Sequence, residues 1–413
     1  MGNNKVVITG IGVIAPNGIG KDEFWKALKN GISGIRPITI FDSTLFKTHQ
    51  AGEVINFDPV TYLGEKGLRN LDRSTKLLCS GAKLALDDAR LDTTGDNADH
   101  IGIITSTTLS VIWNIAEFNK EAEDSGPQLV NPAMFPGTTI NAPSSQVSIR
   151  FNIKGFNTTI STGYTASLDG LKYAVDFLRA GRAKAILLAG VEALFFQTFV
   201  GFNKLEFLAG IKGEELSCPF DLRRNGIIVG EASAVLVLEN EAYAHQRKAR
   251  IYAEVKAVEN FFDPFRSGRY NPKSEGLKRS MTKTLKDSRL KESEISYICA
   301  AANSVPLQDA LETAAIKEVF GATAAKVPVS SIKSMVGETV SAAGALQIAA
   351  SIGAMEQDFI PPTINYQKPD PACDLDYVPN KCRFQKINNV LINNFGPGGN
   401  NASCIIGKYE CLQ

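Results

Sequence analysis

The chain has 413 residues, more than one hydrophobic core ordinarily serves, so two cores or one duplicated unit is the expectation. Hydrophobic residues make up 44% and charged residues 21%, a balance that suits an ordinary globular protein able to bury a large core. The formal net charge of +1 gives no overall attraction to nucleic acid or to an anionic membrane surface.

The first residues, Met1-Gly2-Asn3-Asn4-Lys5-Val6, lack the apolar core and cleavage site of a signal peptide. Val6 also stands where N-myristoylation needs Ser or Thr. No apolar run reaches the roughly 18 residues of a membrane span, so a cytoplasmic location with no membrane partner is expected.

Residues 6–9 read as a strand, followed by Thr9-Gly10-Ile11-Gly12-Val13-Ile14-Ala15-Pro16-Asn17-Gly18. That stretch looks like a dinucleotide loop, but Pro16 breaks the helix start and the third glycine is misplaced, so nucleotide binding is not expected. Strands follow at 101–105, 158–161, 185–189 and 234–238, then at 251–258, 297–301, 327–330, 390–393 and 403–406. Their alternation with helical stretches marks an α/β layered fold. The charged segment 239–250 divides the series into two comparable halves, 1–250 and 251–413.

At Ile160-Ser161-Thr162-Gly163-Tyr164-Thr165-Ala166 a strand runs into a helix start. Unpaired N–H groups and the helix dipole there lower a thiol's pKa, which makes the turn a good place for a nucleophile. Tyr164 holds the position instead, and a phenol of pKa about 10 is a poor substitute. The following helix carries Leu168, Leu171, Val175 and Leu178 on one buried stripe. Residues 342–352 are apolar nearly all round and read as a fully buried central helix. Phe395-Gly396-Pro397-Gly398-Gly399-Asn400-Asn401 joins the last two strands, with a plain hairpin and a site-lining role equally open.

Seven cysteines (Cys79, Cys218, Cys299, Cys373, Cys382, Cys404, Cys411) lack CxxC spacing, which argues against a zinc site and a disulfide framework. Most are expected as small core residues. The three histidines, His49, His100 and His245, do not follow strands as sites at the carboxyl edge of an α/β sheet require. No metal and no cofactor is expected.

Four further runs are specific: Val6-Val7-Ile8-Thr9-Gly10-Ile11-Gly12-Val13-Ile14-Ala15-Pro16; Pro219-Phe220-Asp221-Leu222-Arg223-Arg224-Asn225-Gly226 through Val229-Gly230-Glu231; Val329-Ser330-Ser331-Ile332-Lys333-Ser334-Met335-Val336-Gly337; and Pro361-Pro362-Thr363-Ile364-Asn365. With them the chain resembles, over essentially its whole length, the β-ketoacyl-acyl-carrier-protein synthases, condensing enzymes of the thiolase fold. The resemblance implies a thiolase-like, duplicated αβαβα five-layer fold, usually dimeric.

An active member of that family uses a Cys to attack the acyl thioester and two His to support decarboxylation and hydrogen-bond the developing enolate. By resemblance the Cys position falls on Tyr164, the first His on Ala301 and the second on Glu338, after Lys333-Ser334-Met335-Val336-Gly337. All three are lost together, which excludes condensation; decarboxylation is disfavoured because an ionised Glu338 would repel the enolate. Lys333, Asp309 and Glu312 survive and read as a structural polar network, with a Lys333–Glu338 pair open. The gating phenylalanine of the family is Pro397 here. Tyr164 is expected to fill the space of a cysteine and its acyl group.

The pattern resembles the chain-length factor, the inert ketosynthase-like subunit of type II polyketide synthases, although Gln is frequent there where Tyr164 stands. Such a subunit implies an active ketosynthase as heterodimeric partner and an acyl carrier protein reached through that partner. The resemblance also places the helix after strand 101–105 at the acyl tunnel and interface, with Leu109, Ile112, Trp113 and Ala116. Trp113 either closes the tunnel or packs as ordinary interface. Arg179, Arg182 and Lys184, or Arg223 and Arg224, offer docking charge for the carrier, with solvated surface charge as the plainer reading. An acyltransferase or decarboxylase-like enzyme using Tyr164, Glu338 or Lys333 on carrier-bound or CoA-bound thioesters stays open, as does a homodimeric scaffold.

Overall fold

The computed structural model describes residues 5–265 and 268–410; the first four residues and Cys411 lie outside the described residues. Strand β1, Val6–Ala15, is longer than the sequence pattern suggests, and Gly10 and Gly12 lie inside it. Close packing explains them. A Cβ on Gly12 would sit 2.0 Å from the Gly81 carbonyl oxygen, and one on Gly10 would sit 2.5 Å from that of Ala85. Both oxygens belong to helix α1, Arg73–Ala89, whose backbone lies directly against the strand. The stretch is therefore a strand interior, and no nucleotide loop forms there.

The first half continues with β2 (Ile101–Ser106), α2 (Ile112–Ser125), β3 (Asn157–Ile160), α3 (Ala166–Arg179), β4 (Ala185–Glu192) and β5 (Ala232–Asn240). The second contains β6 (Ala253–Phe262), α4 (Glu275–Ser288), β7 (Tyr297–Cys299), α5 (Pro306–Phe320), β8 (Val329–Ser330), α6 (Ala343–Gln357), β9 (Asn389–Phe395) and β10 (Asn400–Gly407). The hydrogen-bonded order is β8-β7-β9-β10-β6-β1-β5-β4-β2-β3. Each half thus runs third, second, fourth, fifth, first. Directions repeat as well: the second strand of each half pairs parallel with the third and the fourth, and the remaining pairs are antiparallel. The halves meet where β1 pairs antiparallel with β6 through Val6, Val7 and Ile8.

Side-chain alternation then builds the layers. Ile186 and Leu188 point to a central core with α3 and α6, while Leu187 and Ala189 point outward to a second core with α1. In the other half Val390 and Ile392 face the centre, and Leu391 faces a third core with α4 and α5. The layer sequence is αβαβα. Helix α6 is buried from Ala343 to Met355, as its apolar circumference requires. Its Gly344 lets α3 approach, since a Cβ there would lie 3.0 Å from Leu168 Cγ.

Among the described residues Cys79, Cys218, Cys299, Cys373 and Cys404 are buried free thiols and Cys382 is partly buried. No described helix is long and apolar enough to cross a membrane. Among the described residues no group of three or more His, Cys, Asp or Glu could hold a metal ion.

Candidate active-site pocket

Tyr164 occupies a tight turn, Gly163–Thr165, between β3 and α3. Glycine is required one residue earlier, where φ is +68°. Asp169 in the first turn of α3 locks the approach: its carboxylate accepts from Thr165 Oγ1 at 2.7 Å, from Asn260 Nδ2 at 2.8 Å and from the Thr162 hydroxyl. The Gly163 N–H donates to Thr108 Oγ1 at 3.1 Å. The Tyr164 ring lies on the C-terminal hairpin, and a Cβ on Gly396 would come within 2.6 Å of its Cδ2 atom. The hairpin therefore lines the site, with Gly396 leaving room for the aromatic ring. Burial, with the Glu338 charge adding to it, holds the phenol far above its ordinary pKa, so it stays neutral.

Ala301 and Glu338 come together behind this turn through one side chain, Lys333. Its ammonium donates to the Ala301 carbonyl oxygen at 2.9 Å and to Glu338 Oε2 at 2.8 Å. Glu338 also accepts from Asn303 Nδ2 at 2.8 Å and from the Val340 N–H at 2.9 Å. Both partners of the ion pair are buried, at 2% exposure for Lys333 and 1% for Glu338. A carboxylate held by three hydrogen bonds, one of them within the ion pair, is an acceptor only, and it supplies no donor to an enolate.

Asp309 and Glu312 face backbone. Glu312 accepts the N–H groups of Ala301 and Ala302 at 2.9 and 2.8 Å, and its pKa is pushed up to about 7, chiefly by burial. Asp309 accepts from the N–H groups of Phe220 and Asn303 at 2.9 and 3.0 Å. Burial raises its pKa to about 6, against the opposing pull of Arg224. Placed in the first half of α5, the two acids fix the chain end that follows β7.

Tyr270, which the sequence reading did not single out, joins the same pocket. Its hydroxyl donates to Gln308 Oε1 at 2.5 Å, and its ring stands edge-on to Phe395 with centroids 6.0 Å apart. Gln308 Nε2 in turn donates to the carbonyl oxygens of Ala301 at 3.3 Å and Phe395 at 3.4 Å. No motif or periodicity flags Tyr270, because it lies in an irregular stretch between β6 and α4. Pro397 sits partly buried in the turn of the hairpin.

The helix after β2 behaves differently from the other core helices, since α2 has no fully buried residue. Trp113 and Ile115 are 40% and 41% exposed. Ile112 packs partly against the α1-side core. Glu192, at the end of β4, anchors the loop leading into the helix by accepting the N–H groups of Thr108 at 2.6 Å and Leu109 at 3.1 Å. Trp113 lines a cavity of about 1260 Å³ together with Asp72, Asn114, Met134, Pro136 and Phe195. Leu109, Ile112 and Ala116 are not in that lining.

Of the basic residues considered for docking, Arg179, Arg182 and Lys184 are exposed. Arg224 is not available for docking: it is buried and pairs with Asp370 at 2.6 Å. Arg223 is held by Asp221 at 2.9 Å and Glu214 at 3.3 Å. The loop they share is folded inward onto the start of α5, where Arg224 also donates to the Pro306 carbonyl oxygen at 3.1 Å, which turns these charges into internal ties.

With this geometry the chain matches the β-ketoacyl synthase N-terminal domain over residues 3–244 and the β-ketoacyl synthase C-terminal domain over residues 252–367. It is similar to 3-oxoacyl-[acyl-carrier-protein] synthase 2 of Coxiella burnetii, 36% identical with 99% of each chain covered. It is also similar to the tetracenomycin polyketide synthase ketoacyl synthase alpha subunit of Streptomyces glaucescens, 34% identical over 98% of this chain and 97% of that one. Among solved structures, the ishigamide ketosynthase/chain length factor superposes with a TM-score of 0.92 at 32% identity, over 98% of this chain and 100% of the other. A type II polyketide synthase ketosynthase in complex with its acyl-carrier protein, bound to the hexaketide, superposes with a TM-score of 0.90 at 29% identity, over 98% of this chain and 100% of the other. The repeated strand order, the five layers and these matches over nearly the whole length agree: the chain has the thiolase-like ketosynthase fold and belongs to the β-ketoacyl synthase family.

Proposed function

We propose that this chain is a non-catalytic, ketosynthase-like chain-length factor of a type II polyketide synthase. It heterodimerises with an active β-ketoacyl-acyl-carrier-protein synthase and shapes the tunnel in which the partner's polyketide or polyene chain grows. One observation carries the reading: the nucleophile position is Tyr164, the two histidine positions are Ala301 and Glu338, and Glu338 is consumed by a buried ion pair with Lys333. None of the three positions carries the Cys or His that attacks a thioester or hydrogen-bonds an enolate in an active member, so the reaction belongs to another subunit.

The uncovered apolar residues of α2 support a protein partner on that side, because exposed Trp113 and Ile115 lose water contact only when another surface covers them. The likeness to a ketosynthase/chain length factor structure points the same way. Leu109, Ile112, Trp113 and Ala116 are then the tunnel and interface residues, Pro397 the degenerate gate, and the acyl carrier protein is served through the partner. The complex acts in the cytoplasm, and the natural division of the chain falls near residue 250.

Co-expression with a ketosynthase that retains Cys and both His tests the proposal. A tag on either chain should recover a 1:1 complex by native mass spectrometry, and substitutions at Trp113 should alter product length. Persistent self-association without capture of such a partner refutes it. Turnover of carrier-bound or CoA-bound thioesters by the purified chain alone would favour an acyltransferase or decarboxylase-like enzyme with altered chemistry.

A further inference from the structure

We propose that Glu192 is the positioning residue of helix α2, and that a proton taken up by its carboxylate frees the loop entering that helix. The meaning of this for a growing acyl chain rests on the reading of α2 as a tunnel and interface helix. The device itself is a property of this chain alone.

Helix α2 has little else to hold its start. None of its residues is fully buried, and Val111 at its N-cap supplies no side-chain hydrogen bond. The Ile112 N–H reaches back to the Leu109 carbonyl oxygen at 3.2 Å, and the N–H of the same Leu109 donates to Glu192 Oε2 at 3.1 Å. One residue earlier the Thr108 N–H donates to Glu192 Oε1 at 2.6 Å. The Thr108 hydroxyl carries the tie further, to Ser341 Oγ at 2.7 Å and to the Gly163 N–H at 3.1 Å. Glu192 therefore stands where the entry to α2, the turn bearing Tyr164 and the approach to α6 meet.

The carboxylate stands there without a cation. It is 3% exposed, at the end of β4 opposite Ala232 of β5. Residues 107–110 and 339–342, which pack against it, carry no charged side chain. The charged groups on the neighbouring stretches are committed elsewhere. Glu231 pairs with Arg73 at 2.5 Å and accepts the Leu194 N–H at 3.1 Å, and Glu338 pairs with Lys333 at 2.8 Å. Asp169 on α3 is taken by Thr165 and Asn260, and Asp72 bonds Asn114 of α2 at 2.5 Å and the Thr75 N–H at 2.7 Å. Burial without a counter-charge favours the neutral acid, and the Glu192 pKa is pushed up to about 7 although the hydrogen bonds to its carboxylate oppose the rise. A proton on Oε2 turns that oxygen into a donor. The Leu109 N–H is then left a 3.3 Å contact to Oε1, which the Thr108 N–H already occupies. The tie that fixes the first turn of α2 is lost, and Trp113 moves with the helix.

Amide hydrogen exchange on the full chain tests the proposal, read by mass spectrometry on peptides containing Thr108 and Leu109 and scaled to free-peptide exchange at each pH. With a pKa of about 7, roughly nine molecules in ten carry the proton at pH 6 and about one in ten at pH 8, so protection should fall about five- to tenfold from pH 8 to pH 6. Glu192→Gln should show protection that no longer changes with pH. Asp72→Asn, which keeps a capping side chain on α1, should retain the wild-type pH dependence. Level protection in the wild type, wild-type pH dependence in E192Q, or loss of that dependence in D72N overturns the proposal. The wild-type and D72N series decide it should E192Q fold poorly. No partner takes part in this experiment, so failure to capture a ketosynthase sinks the proposed function without touching this result, and level protection leaves heterodimer formation standing.

Discussion

A cysteine placed at position 164 tests the proposal that this pocket does not condense. In Tyr164→Cys a thiol would stand at the start of α3, where the helix dipole favours its thiolate. Two hydrogen-bond donors would still be absent, since Ala301 has none and Glu338 accepts from Lys333, Asn303 and Val340. Each lost donor of an oxyanion site costs about 2.7–4 kcal/mol, a factor of about 10²–10³, and both together a factor on the order of 10⁴–10⁶. An unpaired carboxylate about 4 Å from the enolate would add about 4 kcal/mol at an effective dielectric constant of about 20. Lys333, 2.8 Å from Glu338, offsets most of that, so the missing donors dominate. Y164C should therefore condense an acyl thioester with malonyl-carrier protein at least about 10⁴-fold more slowly than an active ketosynthase, read by mass spectrometry of the carrier. Activity within about 100-fold of an active enzyme from Y164C alone would refute the reasoning that the histidine positions are essential.

Glu338→Gln strands the buried Lys333 ammonium with the Ala301 carbonyl at 2.9 Å and no counter-charge, and should cost about 3–5 kcal/mol, lowering the urea midpoint. The double variant K333M/E338L should recover most of that loss, and an unchanged midpoint for E338Q would contradict a structural ion pair. Gly396→Ala drives a Cβ to 2.6 Å from the Tyr164 ring and should cost about 1–3 kcal/mol in the parent but far less in a Tyr164→Ala background. Equal costs in the two backgrounds would mean that the ring does not occupy the notch. Glu192 is raised from 4.5 to about 7, mainly by burial, so between those values the folded state binds more protons than the unfolded one. Stability from this group is accordingly highest below about 4.5, falls as pH rises to about 7 and is level above, a change on the order of 3 kcal/mol. Glu192→Gln should flatten that part of the pH–stability profile, whereas an unaltered slope would rule out Glu192 as its source.

The strands of both halves were legible as apolar runs, and the stripe through Leu168, Leu171, Val175 and Leu178 correctly marked a buried helix face. Boundaries were less legible where backbone packing outweighs pattern. Gly10 and Gly12 read as loop punctuation, but they are in a strand because α1 presses against it. Arg223 and Arg224 read as surface charge from their neighbours in sequence, and only the folded loop shows their carboxylate partners.

The sequence by itself determined the family, through motifs spread along the chain, because residue types at fixed spacing survive without coordinates. It could not show that Lys333 joins Ala301 to Glu338, that Gly396 makes room for Tyr164, or that Tyr270 bonds Gln308. Lys333–Glu338 apart, five positions from each other, those contacts link residues tens to hundreds of positions apart. Their distances depend on how two similar halves pack around α3 and α6, and no local periodicity encodes that.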